Sequence, residues 1–155
     1  MSSSRARPRA GEERRVTPMI GALLRLPHEA VVTRMLAALA REDLELTQTE
    51  LGVFLFPGPD GRRPSDLARQ CGMTRQAMNY VLTGLEEGGY LQRHDAETPN
   101  GRVVRTTERG RRVIDVVRAE IHEIEREWAA HLGASRYGQL RDTLHELARW
   151  LGKLR

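Results

Sequence analysis

Residues 65–95 read SDLARQCGMTRQAMNYVLTGLEEGGYLQRHD, and the order of signals in that run decides the fold. Ser65 is read as the cap of a short helix that Gly72 stops. Thr74 is placed to cap a second helix, which Gly88-Gly89 ends. Two helices joined by a short glycine turn make a helix-turn-helix. In the second helix, Ala77, Met78, Val81, Leu82 and Leu85 form an apolar side that would pack on the domain. Gln76, Asn79, Tyr80 and Thr83 fall on the opposite side, with Arg75 at its N-terminal edge. Arg, Gln and Asn are the side chains that pair bidentately with guanine or adenine edges. Their place near the start of the helix suits a recognition helix lying in the major groove. Thr74 and the first backbone amides are placed to hold a phosphate. Taken alone, the pattern also fits any surface helix with a polar face.

The segment after the second helix adds weight. Residues 90–94 and 102–106 read as two strands around the turn signal Pro99-Asn100-Gly101. Arg93, Arg102 and Arg105 sit on those strands, and Arg109, Arg111 and Arg112 come soon after. An arginine beside a hairpin tip, as Arg102 is, suits a narrow A·T-rich minor groove, and the others suit phosphates. Residues 113–132 are acidic on balance, so the basic residues are concentrated beside the proposed reading helix. The expected DNA-contacting set is Ser65, Thr74, Arg75, Gln76, Asn79, Tyr80, Thr83, Arg93, Arg102 and Arg105. The helix over 75–87 is assigned to the major groove and the wing over 90–106 to the minor groove.

Outward from this centre, Thr47-Gln48-Thr49-Glu50 is a capping box that starts a helix over about 48–56, stopped by the loop 57–61. Thr17-Pro18 opens an earlier helix that runs to about Arg41 and that Pro27 should kink or restart. Thr107 caps a long helix carrying Val113, Val117, Ile121, Ile124, Trp128 and Leu132. Gly133 breaks it, and Ser135 is expected to cap a last helix with Leu140, Leu144, Leu147, Leu151 and Leu154. Residues 1–16 are arginine-rich and nearly devoid of apolar side chains, so a disordered basic arm is expected.

The sequence therefore divides into the arm 1–16, an N-terminal helix 17–44, a winged helix-turn-helix 47–112 and C-terminal helices 107–155. The fold class is mainly α with a small antiparallel β-wing. The helices at the two chain ends hold more Leu, Val, Ile and Trp than a small winged helix can cover. A homodimer would bury such surfaces symmetrically.

Residues 47–110 resemble the MarR (multiple-antibiotic-resistance regulator) family of bacterial winged-helix repressors. The likeness runs through LEEGGYLQRHD and then NGRVVRTTERG. Asp95, Gly101, Arg102, Thr107 and Gly110 match the family's wing pattern. Asn100 stands where a second acid is usual, and Thr106 where leucine is usual. The resemblance implies an obligate homodimer formed by helices from both chain ends, and a transcriptional regulator of double-stranded DNA with a near-palindromic operator. It also implies a small-molecule effector in the cleft between the dimer helices and the winged domain. Trp128, Tyr137, Trp150 and Met35 are the residues considered for that cleft, although residues of these types at these spacings are more often ordinary core. The alternative is a winged-helix protein-interaction module without specific DNA binding.

The bulk numbers are consistent with this. Net charge is +4 in 155 residues, a mild pull toward polyanions. One cysteine, Cys71, cannot form an internal disulfide and is read as packing rather than as a redox sensor. With no long apolar run, the expectation is a soluble, cytoplasmic protein with no membrane partner. His122, His131 and His145 match no zinc spacing, and there is no phosphate loop, nucleophile elbow or HExxH. Neither a metal, a cofactor nor catalysis is expected.

Overall fold

The computed structural model describes residues 17–95 and 102–152. The proposed N-terminal arm and the turn at Pro99-Asn100-Gly101 lie outside the described residues. In chain order the elements are α1 (Ile20–Ala40), α2 (Gln48–Phe54), α3 (Pro64–Gln70), α4 (Arg75–Glu87), β1 (Leu91–Asp95), β2 (Arg102–Thr106), α5 (Glu108–Leu132) and α6 (Ala134–Trp150). Helix α1 lies along α5, α3 packs on α4, and α4 meets β1.

Threonine caps fix three of these helices where the sequence puts them. Thr47 accepts from the Glu50 amide while the Glu50 carboxylate accepts from the Thr47 amide, a complete capping box. Thr74 caps α4 through the Ala77 amide at 3.1 Å, and Thr107 caps α5 through the Gly110 amide at 3.1 Å. Other expectations need correction. Ser65 is not a cap: Pro64 takes the first helical position, its fixed φ suiting it there, and the N-cap moves back to Arg63. Ser135 lies inside α6, because Gly133, at φ 84, serves as both the end of α5 and the start of α6. Helix α1 begins after Met19 rather than at Thr17, and it runs unbroken through Pro27. The proline removes one backbone donor, but the surrounding turns are exposed, so the missing bond falls on solvated backbone rather than in a core. Helix α2 stops at Phe54, short of the expected Phe56, as Leu55 turns extended ahead of Pro57.

The core draws one face from every element of the central domain. Met35 and Leu39 of α1, Leu44, Leu51 of α2, Leu67 of α3, Met78, Leu82 and Leu85 of α4, Leu91, Val104 and Val113 are essentially sealed. Each such side chain stabilises by about 1.5–3 kcal/mol relative to leaving it in water.

The hairpin is antiparallel, with Leu91 opposite Thr106 and Arg93 opposite Val104. The loop after α2 joins its outer edge, a feature no sequence signal announces. The Gly61 amide donates to the Val104 carbonyl at 2.8 Å, and the Val104 amide donates to the Arg62 carbonyl at 2.8 Å. The Asp60 carboxylate also accepts from the Thr106 amide at 2.9 Å. Glycine is required in two places. Gly72 turns between α3 and α4 at φ +65, which side chains with a Cβ rarely adopt. Gly110 lets α5 touch the strand entry: a Cβ there would stand 2.2 Å from the Tyr90 carbonyl oxygen.

Two ionic contacts join α1 to α5 at Arg34. Its guanidinium donates to Glu120 at 2.8 Å and to Glu127 at 3.0 Å. Hydrogen bonds from Arg34 hold the Glu127 carboxyl below its ordinary value of 4.5. A depressed carboxyl adds stability above its unfolded value, and that stability is lost as pH falls through the folded value. The melting temperature should therefore drop as pH is lowered from about 5 to about 3, and Arg34→Ala should flatten part of that slope. A melting curve independent of pH in this window would count against the contact. Gly110→Ala should lower unfolding free energy by roughly 1–3 kcal/mol in a urea titration, because backbone rather than a flexible side chain must give way.

Candidate nucleic-acid interface

Helix α4 buries Met78, Val81, Leu82 and Leu85, and the 3.6-residue period then sends Arg75, Gln76, Asn79, Tyr80 and Thr83 outward. Tyr80 is 84% exposed, unusual for an aromatic side chain. Ala77, expected on the packed side, is exposed, so the sealed stripe is narrower than the sequence pattern indicated. A shallow groove runs beside this face, lined by Thr47, Glu50, Met73, Gln76, Tyr80 and Thr83 among others. Thr74 sits at the start of α4 with its side chain engaged in capping, and Ser65 is half-buried in the first turn of α3.

The basic residues separate into different environments. Arg75 and Arg102 are exposed. Arg105 is 56% exposed and reaches Asp60 at 3.6 Å, which draws it toward the loop after α2. Arg93 is held inward. Its backbone amide donates to Glu86 Oε1 at 2.8 Å, its Nε to Glu86 Oε2 at 2.6 Å, and its terminal nitrogen to Thr83 Oγ1 at 2.8 Å. Bonding to Arg93, with a further coulombic pull from Arg102, keeps the Glu86 carboxyl below the ordinary carboxylate range.

Further along, Arg109 donates to the Asp43 carbonyl and lies 4.8 Å over the Tyr90 ring, while the Tyr90 hydroxyl donates to the Glu45 carbonyl at 3.1 Å. Arg111 pairs with Glu108, and Arg112 approaches Glu42. The sequence could not reveal these ties, since every partner but Glu108 sits on a distant segment.

The four residues considered for an effector cleft do not form one set. Met35 is in the core, Trp150 is 80% exposed at the end of α6, and Trp128 and Tyr137 are half-buried between. A different hollow lies between α5 and the loop after α2, lined by Phe54, Pro57, Pro59, Ile114, Ile121 and His122 among others. Burial pushes the Cys71 thiol up from its ordinary value, and the thiol donates to the Gly52 carbonyl, as a packed cysteine should. Among the described residues there is no cluster of metal-ligating side chains, and no helix is long and apolar enough to cross a membrane.

No family model and no curated protein sequence matches the chain significantly. Solved structures do. A MarR-family transcriptional regulator from Rhodococcus sp. RHA1 aligns with a TM-score of 0.64 at 23% identity, covering 83% of this chain and 91% of that one. The MarR-family protein Rv2887 of Mycobacterium tuberculosis, in complex with DNA, aligns at 0.60 and 25% identity, covering 84% and 98%. It is also solved with salicylic acid. CouR, from Rhodococcus jostii RHA1, is described as a transcriptional repressor. Bound to a 23-mer DNA duplex, it aligns at 0.64 and 21% identity, covering 84% and 92%, and it is also solved with p-coumaroyl-CoA. On these alignments the chain has the winged helix-turn-helix fold of the MarR family of transcriptional regulators.

Proposed function

We propose that the protein is a homodimeric, sequence-specific DNA-binding regulator of transcription, acting as a repressor that a small ligand relieves. One observation carries this reading: Arg75, Gln76, Asn79 and Tyr80 of α4 lie exposed to solvent on one hydrogen-bonding side of the helix. Side chains of these types at the start of a helix match the donor and acceptor pattern of the major groove, which is about 12 Å wide and admits a helix. Gln76 and Asn79 are assigned to base edges, Arg75 and Thr74 to phosphates or guanine, and Tyr80 to the groove wall. Arg102 and Arg105 are assigned to the wing's contacts in and beside the minor groove, and Ser65 to the backbone near α3. The DNA complexes of Rv2887 and CouR support the DNA-binding reading.

Dimerisation is proposed from apolar surface. Ile20, Leu23, Leu24 and Leu26 of α1 and Leu140, Leu144, Leu147, Trp150 and Leu151 at the other chain end are 38–80% exposed. That much aligned apolar surface on two helices is costly in water, and a two-fold partner presenting the same helices removes it. Two reading helices related by that axis would address half-sites about one helical turn apart, on the order of 10 base pairs. Light scattering should give twice the chain mass, and Leu144→Glu should yield monomers that bind DNA weakly. A monomeric wild type would refute the symmetric assembly.

The complexes of Rv2887 with salicylic acid and of CouR with p-coumaroyl-CoA support a small-molecule effector, and the effector is assigned to the hollow between α5 and the loop after α2 for its apolar lining. A ligand there would act by favouring one spacing of the two reading heads over another.

The test of the central reading is binding to the DNA upstream of the chain's own coding sequence, across salt. Affinity should fall roughly a thousandfold or more between 50 and 200 mM salt if about six phosphates are contacted. Gln76→Ala and Asn79→Ala should each cost about 1–3 kcal/mol of discrimination against a scrambled duplex. Weak, sequence-blind retention would favour a protein-interaction module instead.

A further inference from the structure

We propose that Arg93 is a positioning residue that locks the wing to the reading helix, rather than a phosphate contact; this rests on the DNA-binding reading above. The geometry is specific. From strand β1, the Arg93 side chain reaches back over the C-terminal half of α4 and meets Glu86 and Thr83, one helical turn apart. The Glu86 carboxylate accepts from both the backbone amide and the guanidinium of Arg93, so side chain and strand are gripped by one acid. Thr83 continues the chain of bonds: its hydroxyl accepts from Arg93 and donates to the Asn79 carbonyl at 3.0 Å. The wing is thereby tied, through two side chains, to the backbone of a proposed base-reading residue.

Burial makes the tie more than a surface ion pair. The Arg93 and Glu86 side chains are 20% and 29% exposed, and a planar guanidinium engaged by two partners is held in one orientation. An arginine whose Nε and one terminal nitrogen are turned onto α4 in this way is poorly placed to neutralise a phosphate. The wing and helix α4 otherwise meet mainly through apolar side chains such as Leu85 and Leu91, which resist separation but tolerate sliding. Directional bonds at Glu86 and Thr83 remove that freedom and fix the distance between the two parts that enter adjacent grooves.

Glu86→Ala provides a test of opposite sign. It removes an acid close to the DNA side, so electrostatics alone would tighten binding to the upstream duplex. The lock predicts the reverse, about tenfold weaker binding with an unchanged salt slope. Arg93→Ala should weaken binding by the same factor, and the double variant should be no worse than either single one. Arg93→Lys keeps the charge but loses the two-pronged grip, and it should behave like Arg93→Ala. Amide exchange of β1 in the full chain, without DNA, should speed up in all of these variants, and thermal melts confirm that each is folded.

Tighter or unchanged binding by Glu86→Ala overturns the lock. So does a salt slope reduced by about one in Arg93→Ala with Glu86→Ala silent, which would make Arg93 a phosphate contact. Unchanged β1 exchange overturns it independently of DNA. A wild-type chain that fails to retain the duplex sinks the regulator reading instead, a result separable from the other three.

Discussion

Everything on the outer face of this domain depends on the residues that α4 hides. Met78, Val81, Leu82 and Leu85 are pressed against Leu51, Leu67, Leu91 and Val104, and they occupy one side of a thirteen-residue helix. A helix has no way to bury that side without turning the residues between outward, at a fixed angle and rise. The reading face is thus rigid because the hidden face is packed. The side chains of Arg75, Gln76 and Asn79 inherit their positions from the residues buried on the opposite side of the helix. Burial of a few apolar side chains, each worth a couple of kcal/mol, does the orienting that loops would do poorly.

The wing depends on a second constraint, at the junction of β1, β2 and α5. The Tyr90 carbonyl accepts from the Thr107 amide at 3.1 Å and from the Thr107 hydroxyl at 2.9 Å. That hydroxyl in turn accepts from the Gly110 amide and caps α5. One threonine therefore closes the hairpin and starts the longest helix. With Gly110 making room, α5 leaves the domain in a direction set by the sheet. Since α5 also carries the contacts to α1, the orientation of the wing is coupled to the chain ends. In the proposed dimer, a shift in how the terminal helices pack would reach the wing through this same joint.

Local chemistry was legible in the sequence and long-range pairing was not. The caps at Thr47, Thr74 and Thr107, the turn at Gly72 and the period of α4 involve residues within a few positions of one another, where spacing alone fixes geometry. Errors arose where two local signals competed: Pro64 displaced Ser65 as the start of α3, and Gly133 displaced Ser135 at α6. The loop residues 60–62 carry no strand pattern, because Gly61 and Arg62 pair with β2 through backbone groups that every residue type shares. Of the proposed contact residues, those on α4 were legible because a helix face is periodic. The engagement of Arg93 with Glu86 was not, since two residues seven apart on a helix and a strand share no period.

The distribution of charge then takes on a different meaning. Along the chain, the arginines from Arg93 to Arg112 form one basic run, with each counting toward phosphate contacts. In three dimensions several have intramolecular partners: Arg93 with Glu86, Arg105 with Asp60, Arg109 over Tyr90, and Arg111 with Glu108. The exposed pairs among them, Arg105 with Asp60 and Arg111 with Glu108, contribute little to stability, typically under about 1 kcal/mol. Their effect on recognition is larger, because a paired guanidinium must lose its acid before it can take a phosphate. The number of arginines beside the reading helix therefore overstates the number of phosphates the protein can neutralise. What two of these contacts supply is orientation: Arg93 ties β1 to α4, and Arg109 ties the segment after α1 to α5, so that in the proposed complex fewer groups meet DNA but they meet it already arranged, which lowers the ordering cost of binding.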